Sequence, residues 1–588
     1  MVFLKRSLVG LAALSAFGSV FADFDGPAPI AWRWADRITQ RPLGAPTIVG
    51  DHVFAAVGSR MYCLNRESGN EVWRFPAGEP LQASFTTGAV VSGEIMVAGA
   101  DDKAVYGVNT KTGEMVWQYI APSNLIAGPV VAGNSVVIAL ASNQLMSVDL
   151  RTGQPVWDAP YSPPNGAGIY SSVASWQNSV LFLTSDGSLN SLDATTKSPT
   201  FRPRSFSNVG PLSGLTVYGD ACYVTSGAYV TSLNASSGRV RWEAIVPGVL
   251  RYSAAVGPGG VVVVTDDGRM HAFNSMGRPA FRSGIDLNSN AVAAPAFTGS
   301  LVAISTSNGS LNLLDPVSGD VVWNFTVPPM VKGMKVSMPS TGGGGGGGAG
   351  GGVKGGTGAG GGRAGGGGAV GGAGGGAALG GGGGQAGGDD MMEVKYVTAA
   401  GPVATEGDML VLLATDGSIV AFDKNLGVDL TPPDVQMAWP NAGDQVSGRA
   451  PMELVFIVTD AGSGVNFNGT GGSSPSEYNG INVTINGNRY VAELDNENRV
   501  RVRIISAAGP NFPLNNGRAR ISVTAADWMG NTTVANFTLS IDNTLPALGS
   551  PRAPDTGAGN TGGGGGGTLG PPGGGGRGGG RTGGGGAL

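Results

Sequence analysis

Five times in its first 330 residues the chain writes an Asn or Asp, a Gly four positions on, and a Trp four positions further: Asn65/Gly69/Trp73, Asn109/Gly113/Trp117, Asp149/Gly153/Trp157, Asn234/Gly238/Trp242 and Asp315/Gly319/Trp323. Two worn copies keep the frame with Phe in place of Trp, Asp193 with Phe201 and Asn274/Gly277 with Phe281, and an eighth, Asp423/Gly427, has no aromatic. From Trp73 to Trp323 successive aromatic positions lie 39 to 44 residues apart, the length of one four-stranded antiparallel blade. Such a repeat cannot bury its faces alone, so each copy has to pack on its neighbours.

Aligned on the Asn or Asp, the copies show period-two columns that read as a half-buried strand, such as Tyr62/Leu64, Tyr106/Val108 and Met146/Val148. Between them stands a mostly small residue, among them Cys63, Gly107, Ser147, Ser232 and Ala421, which fits close packing of sheet on sheet. Tight-turn dipeptides such as Asp186-Gly187 and Asp416-Gly417 precede that strand, and apolar strands such as Leu301 to Ser305 precede the turns. The Trp falls on the outermost strand, where it packs into the neighbouring blade. The eighth copy runs from Gly427 into Thr431-Pro432-Pro433 and lacks its outer strand. A spare strand waits at Ile30 to Asp36, where Ala31-Trp32-Arg33-Trp34 aligns with Val72-Trp73-Arg74-Phe75 and Trp34 lies 39 residues before Trp73. The expectation is an all-β chain: an eight-bladed β-propeller of four-stranded antiparallel blades, closed by the N-terminal strand and so without an open edge. Trp34, Trp73, Trp117, Trp157, Trp242 and Trp323 are the expected blade-docking residues.

These phrases, of the form Val148-Asp149-Leu150-Arg151-Thr152-Gly153-Gln154-Pro155-Val156-Trp157, closely resemble the tryptophan-docking repeats of the quinoprotein, or PQQ-like, propeller superfamily. The resemblance covers roughly residues 30–428 apart from an insert. It implies the propeller fold and leaves function open, because the superfamily includes quinone-dependent alcohol dehydrogenases, envelope assembly factors similar to BamB, and sensor or scaffold domains without a cofactor. In the enzyme branch the resemblance implies an adjacent Cys-Cys disulfide over the quinone, a Trp beneath it, a catalytic Asp with Glu and Asn around calcium, and often a Cys-x-x-Cys-His haem site. This chain has two separated Cys, no haem motif and two His. Docking and closure occupy the repeat Trp residues and Trp32, leaving in the propeller only Trp176, at the start of a strand in the fourth repeat. No quinone floor is visible, so neither a catalytic, a cofactor-binding nor a metal-binding residue is assigned, with PQQ and calcium kept as alternatives.

Individual residues agree with a structural reading. Asp101-Asp102 and Asp266-Asp267 fall where neighbouring repeats carry turn residues. His271 stands in a strand column with Tyr, Met, Thr and Asn, and His52 has no His or Cys at metal-ligand spacing. Cys63 belongs to the first blade and Cys222 to the fifth, too far apart across a ring to be bridged, so two buried free thiols are expected. Lys5 and Arg6, an apolar run from Leu8 to Phe21, and small residues at the cleavage point read as a secretory signal over 1–22. A formal net charge of -5 with 13% charged residues offers no basic face for nucleic acid.

The propeller is expected over 23–428, interrupted by a Gly-rich insert at about 335–392 that cannot bury enough apolar surface to order. From 429 to 546 short alternating strands between Gly, Asn and Asp turns indicate a β-sandwich, and a Gly-rich tail fills 547–588. The sandwich resembles bacterial Ig-like modules of surface and secreted proteins, through Pro432-Pro433, the corner Asp460 to Val465 and the segment Ala525 to Asn531. That resemblance implies a spacer or adhesive unit. Asp460 and Asp527 are candidates for calcium, although acidic turn residues account for them without a metal. The functional expectation is an exported, non-catalytic propeller that binds protein or a cell-surface polymer at the envelope or outside it. A divergent PQQ-dependent dehydrogenase and a carbohydrate-binding or adhesive surface protein are the alternatives.

Overall fold

The structure is a computed structural model describing residues 24–327 and 397–548, except 37, 39, 208, 469–479, 496–498 and 505–512. The expected signal segment, the Gly-rich insert and nearly all of the tail lie outside the described residues. The chain is all-β, and among the described residues its one helical element is the turn Pro164–Gly166. No helix among them is long and apolar enough to cross a membrane.

Eight antiparallel sheets follow one another along the repeat region. The first runs Thr47–Val49, His52–Val57, Arg60–Asn65 and Glu71–Phe75, with neighbours in the sheet also consecutive in sequence. Further sheets occupy 90–120, 130–149, 169–205, 214–245, 255–286 and 296–326. The eighth joins three strands of 404–423 to Ile30–Ala35, which pairs antiparallel with Ser418–Asp423. The innermost strand of each sheet touches that of the next, and Ala404–Glu406 of the eighth touches Thr47–Val49 of the first. Second strands are buried on both faces because a sheet lies on either side: all six residues of Ser135–Leu140 are buried. Outer strands alternate, as in Glu71–Phe75, where only Trp73 and Phe75 are buried.

The small column has a specific cause. Where a paired outer strand carries the Trp, the column residue is its cross-strand partner, as Cys63 is of Trp73, Gly107 of Trp117 and Ser232 of Trp242, with the larger Leu313 opposite Trp323. A Cβ on Gly107 would lie 2.2 Å from the Trp117 indole. The third sheet departs from the expected four strands. It has three, and its outer segment meets the sheet at the isolated bridges Val148↔Pro155 and Leu145↔Tyr161 and through the Val156 and Trp157 amides, which donate to the Ser147 carbonyl. Pro155 and Pro160 have no N–H to give to a ladder, which confines that segment to isolated contacts.

Beyond Asp429 two more sheets enclose a common core. One is Asp434–Trp439, Met452–Thr459, Arg499–Ile504 and Glu493–Leu494; the other is Gln445–Val446, Thr532–Ile541, Gly517–Ala526, Asn482–Ile485 and Asn488–Tyr490. Leu454, Phe456 and Val502 of the first meet Val483, Ile521, Val523 and Leu539 of the second. The short strand Gln445–Val446 runs parallel to Thr532–Ile541, all other pairings being antiparallel.

Candidate functional site

The repeat phrase builds a socket as well as a plug. In each copy the Asn or Asp side chain accepts hydrogen bonds from amides two and three or four residues ahead: Asn65 from Glu67 (3.1 Å) and Ser68 (2.9 Å), Asp149 from Arg151 (3.0 Å) and Thr152 (2.8 Å). This turn places the Gly at positive φ, +72° for Gly113 and +68° for Gly153. The bare Gly then receives the indole of the preceding sheet. Trp73 covers Gly113, Trp117 covers Gly153 and Trp242 covers Gly277, with a built Cβ falling 2.5–2.7 Å from the ring in each case. The indole N–H closes the seam by donating to the carbonyl just after the Asn or Asp: Trp73 to Thr110 (2.8 Å), Trp117 to Leu150 (2.8 Å), Trp242 to Ser275 (3.0 Å).

The eighth-to-first seam corrects the sequence reading. Trp32, not Trp34, is the docking residue. It is the cross-strand partner of the small residue Ala421, its ring covers Gly69, and its Nε1 donates to the Arg66 carbonyl at 2.6 Å. Trp34, two residues on, instead packs edge-on to Tyr62 with ring centroids 4.5 Å apart. The 39-residue spacing misplaced the anchor by one strand period, whereas the alignment of Trp32 with Trp73 carried the true register. The tyrosine hydroxyl bonds the Asp36 carboxylate. Trp176 is likewise at the end, not the start, of its strand Ile169–Trp176, and donates to the Gly219 carbonyl.

Four seams are built differently. Trp157 meets a turn in which Lys197, at φ +62°, replaces Gly, and the lysine Nζ lies 5.6 Å from the ring centroid. Ser147 Oγ donates to the Ala194 carbonyl (2.7 Å), the acceptor the other seams give to Trp, and the Trp157 N–H has no partner. Phe201 covers Gly238, while Ile285 and Phe281 cover Gly319. Trp323, fully buried against Phe24, Phe325 and Phe422, donates across to the sandwich, to the Ser463 carbonyl at 2.9 Å.

Ser463 belongs to a turn, residues 460–464, that lies over the strands Val321–Thr326 and Ile30–Ala35. Ile30 N donates to the Gly462 carbonyl (3.1 Å) and Arg33 Nη2 to the Ala461 carbonyl (2.8 Å). From the next sandwich turn, Trp528 Nε1 donates to both the carbonyl and the side-chain oxygen of Asn324, each at 3.0 Å, and Asn468 reaches the Val321 carbonyl. Beside this joint a small groove of about 160 Å³ is lined by Asn288, Asn312, Asn324, Phe467 and Asn468. The joint was not legible in the sequence, since its bonds use backbone carbonyls. The one available signal was Trp528, a large aromatic placed in a turn.

The other singled-out residues are engaged locally. Asp101 accepts from Ser84 N, and Asp102 from Ala104 N and the Tyr106 hydroxyl. Asp266 accepts from Val249 N and lies 3.6 Å from Arg251; Asp267 accepts from the Thr265 hydroxyl. His271 is buried with Nε2 unpartnered, Gly284 lies against its ring, and burial lowers its pKa from the ordinary 6.5. His52 stacks loosely on Phe54. Cys63 and Cys222 are unpaired and buried in the first and fifth sheets, and burial pushes both thiols up to about 12. Among the described residues one group of three or more His, Cys, Asp or Glu side chains converges, Asp429, Asp460 and Asp527, at the joint and not within the eight sheets.

Successive antiparallel sheets fastened by Trp in Asx–Gly sockets define a PQQ-like β-propeller repeat protein. The family model described as outer membrane protein assembly factor BamB matches residues 29–213 and 205–338, more than half of the chain, and the chain belongs to that family. Among solved structures it is similar to BamB from Moraxella catarrhalis (15% identity, TM-score 0.45, 66% of this chain and 98% of that one). It is also similar to the computationally designed protein Ika8 (13% identity, TM-score 0.44, 66% and 98%) and to a europium-containing methanol dehydrogenase (11% identity, TM-score 0.42, 51% and 80%). No curated protein matches the chain.

Proposed function

We propose that the chain is an exported, non-catalytic scaffold of the cell envelope. In this reading the eight sheets are the blades of one closed ring, and the ring and an Ig-like sandwich together hold a protein or surface-polymer partner. The observation that carries this reading is the commitment of the chemistry-bearing side chains. The Trp residues of the phrase are spent on seams and on the joint, and the acidic pairs Asp101-Asp102 and Asp266-Asp267 on turns. What varies between blades is the surface loops, where binding residues generally sit. The family's description as an outer membrane assembly factor supports the envelope as the place of work. The groove beside the joint, with its amide side chains and Phe467, is the first surface to examine.

Crosslinking in the intact envelope followed by partner identification tests the proposal. A defined envelope protein or polymer, lost when Phe467 and Asn468 are replaced by Ala, is the expected result. Quinone-dependent dye reduction on alcohols or sugars, after addition of PQQ with calcium, overturns it.

A further inference from the structure

We infer that the joint between the propeller and the sandwich is a calcium site formed by Asp429, Asp460 and Asp527. The three come from separate segments: the link leaving the last propeller strand, the turn after Met452–Thr459, and the turn after Gly517–Ala526. One carboxylate oxygen from each lies within 4.8 Å of the others. Oxygens on a shell of radius about 2.4 Å around one ion are at most about 4.8 Å apart, so one oxygen from each carboxylate fits around a calcium ion.

Two further observations point to a ligand. Asp527 and Asp429 are 1% and 8% exposed, so like charges are gathered out of water. Backbone amides of Gly462, Ser463 and Gly464 converge on one Asp460 oxygen, and no ion pair involves any of the three carboxylates among the described residues. Arg33, the nearby cation, donates to the Ala461 carbonyl and faces only Asp460 of the three, without forming an ion pair with it. The second observation is Ser463, whose amide donates to Asp429 (2.8 Å) and Asp460 (2.9 Å). Its hydroxyl is 0% exposed, has no aligned hydrogen-bond partner, and lies beside the Asp429 carboxylate. A buried hydroxyl left without a partner is costly, and a cation between the carboxylates gives its oxygen something to ligate.

The donors are all hard oxygens, which selects calcium over softer metals. Because the Ser463 carbonyl accepts from Trp323 and Ile30 N donates to Gly462, the ion fastens one turn onto both the seventh sheet and the strand that completes the eighth. The inference does not depend on which partner the propeller holds.

Calorimetry of calcium binding to the chelator-treated full chain, without quinone, tests it. One ion per chain is expected, with a dissociation constant on the order of 0.1–1 mM or tighter, as in extracellular modules. Asp429→Asn and Asp460→Asn keep an acceptor for the local amides, so both variants are expected to fold, to bind calcium at least about tenfold more weakly, and to lose the calcium-dependent rise in Tm. Absence of uptake by the wild-type chain at about 10 mM calcium overturns the inference. So does uptake unchanged in both variants, which would place the ion elsewhere.

Discussion

At Gly113 two demands meet on one residue: φ of +72° and an indole where a Cβ would be, 2.7 Å away. Gly93, at φ +58°, has nothing within 4 Å of the same position. Gly113→Ala should therefore cost about 2–3 kcal/mol and Gly93→Ala only about 1 kcal/mol, the backbone strain without the collision. Denaturant titration of the two variants measures the difference. Trp32→Ala should likewise cost about 3–5 kcal/mol, clearly more than Trp34→Ala, because Trp32 fills the Gly69 socket and satisfies Arg66. Equal losses would return Trp34 to the seam. His271 offers a pH test. Its folded pKa is held below 6.5 by burial, with Arg269 lowering and Asp267 raising it. The unfolded chain thus takes up the proton first as pH falls through about 6.5, and stability is lost there. Tm measured between pH 7.5 and 5.5 should fall less steeply in His271→Asn, which places in this column the residue that Asn312 supplies elsewhere. Residue identities were legible in the sequence where the phrase repeats. The socket role of Gly was not, because it belongs to the neighbouring repeat's Trp and a single copy does not reveal the pairing.

Among elements, the outer segment of the third sheet is the weak edge. Tyr161 and Leu145 exchange hydrogen bonds of 2.9 and 2.8 Å, but no continuous ladder joins Pro155 to Pro160. Amide hydrogen exchange at Asp158 and Ala159 should run at least about tenfold faster than over Met115–Ile120, which pairs along its length with Ala104–Asn109. Comparable protection would mean the segment pairs as a full strand. Strand periodicity and tight turns exposed the first three strands of most repeats, since alternation is a property of consecutive residues. The shortened outer strands, Arg204–Ser205 and Ile285–Asp286, were harder to see, because their length is set by the neighbour they cover.

For the whole molecule, the joint predicts shared cooperativity. Trp528 holds Asn324 by two bonds and Trp323 holds Ser463, so propeller and sandwich should unfold in one transition. Trp528→Ala should weaken the joint by about 2 kcal/mol and split the calorimetric trace into two. A single unshifted transition would show that the contact carries no coupling. The strand Ile30–Ala35 adds a constraint in time. Trp34 is synthesised roughly 385 residues before its cross-strand partner Ile419, so until that strand is made this segment has backbone groups to offer and no native strand to receive them. Pairing of this strand with Ser418–Asp423 is then the least local strand pairing of the eight sheets, slow on loop-closure grounds and open to pairing with another chain's eighth sheet. The waiting segment is thus where a holding chaperone would be most useful, and where two copies would most readily exchange strands.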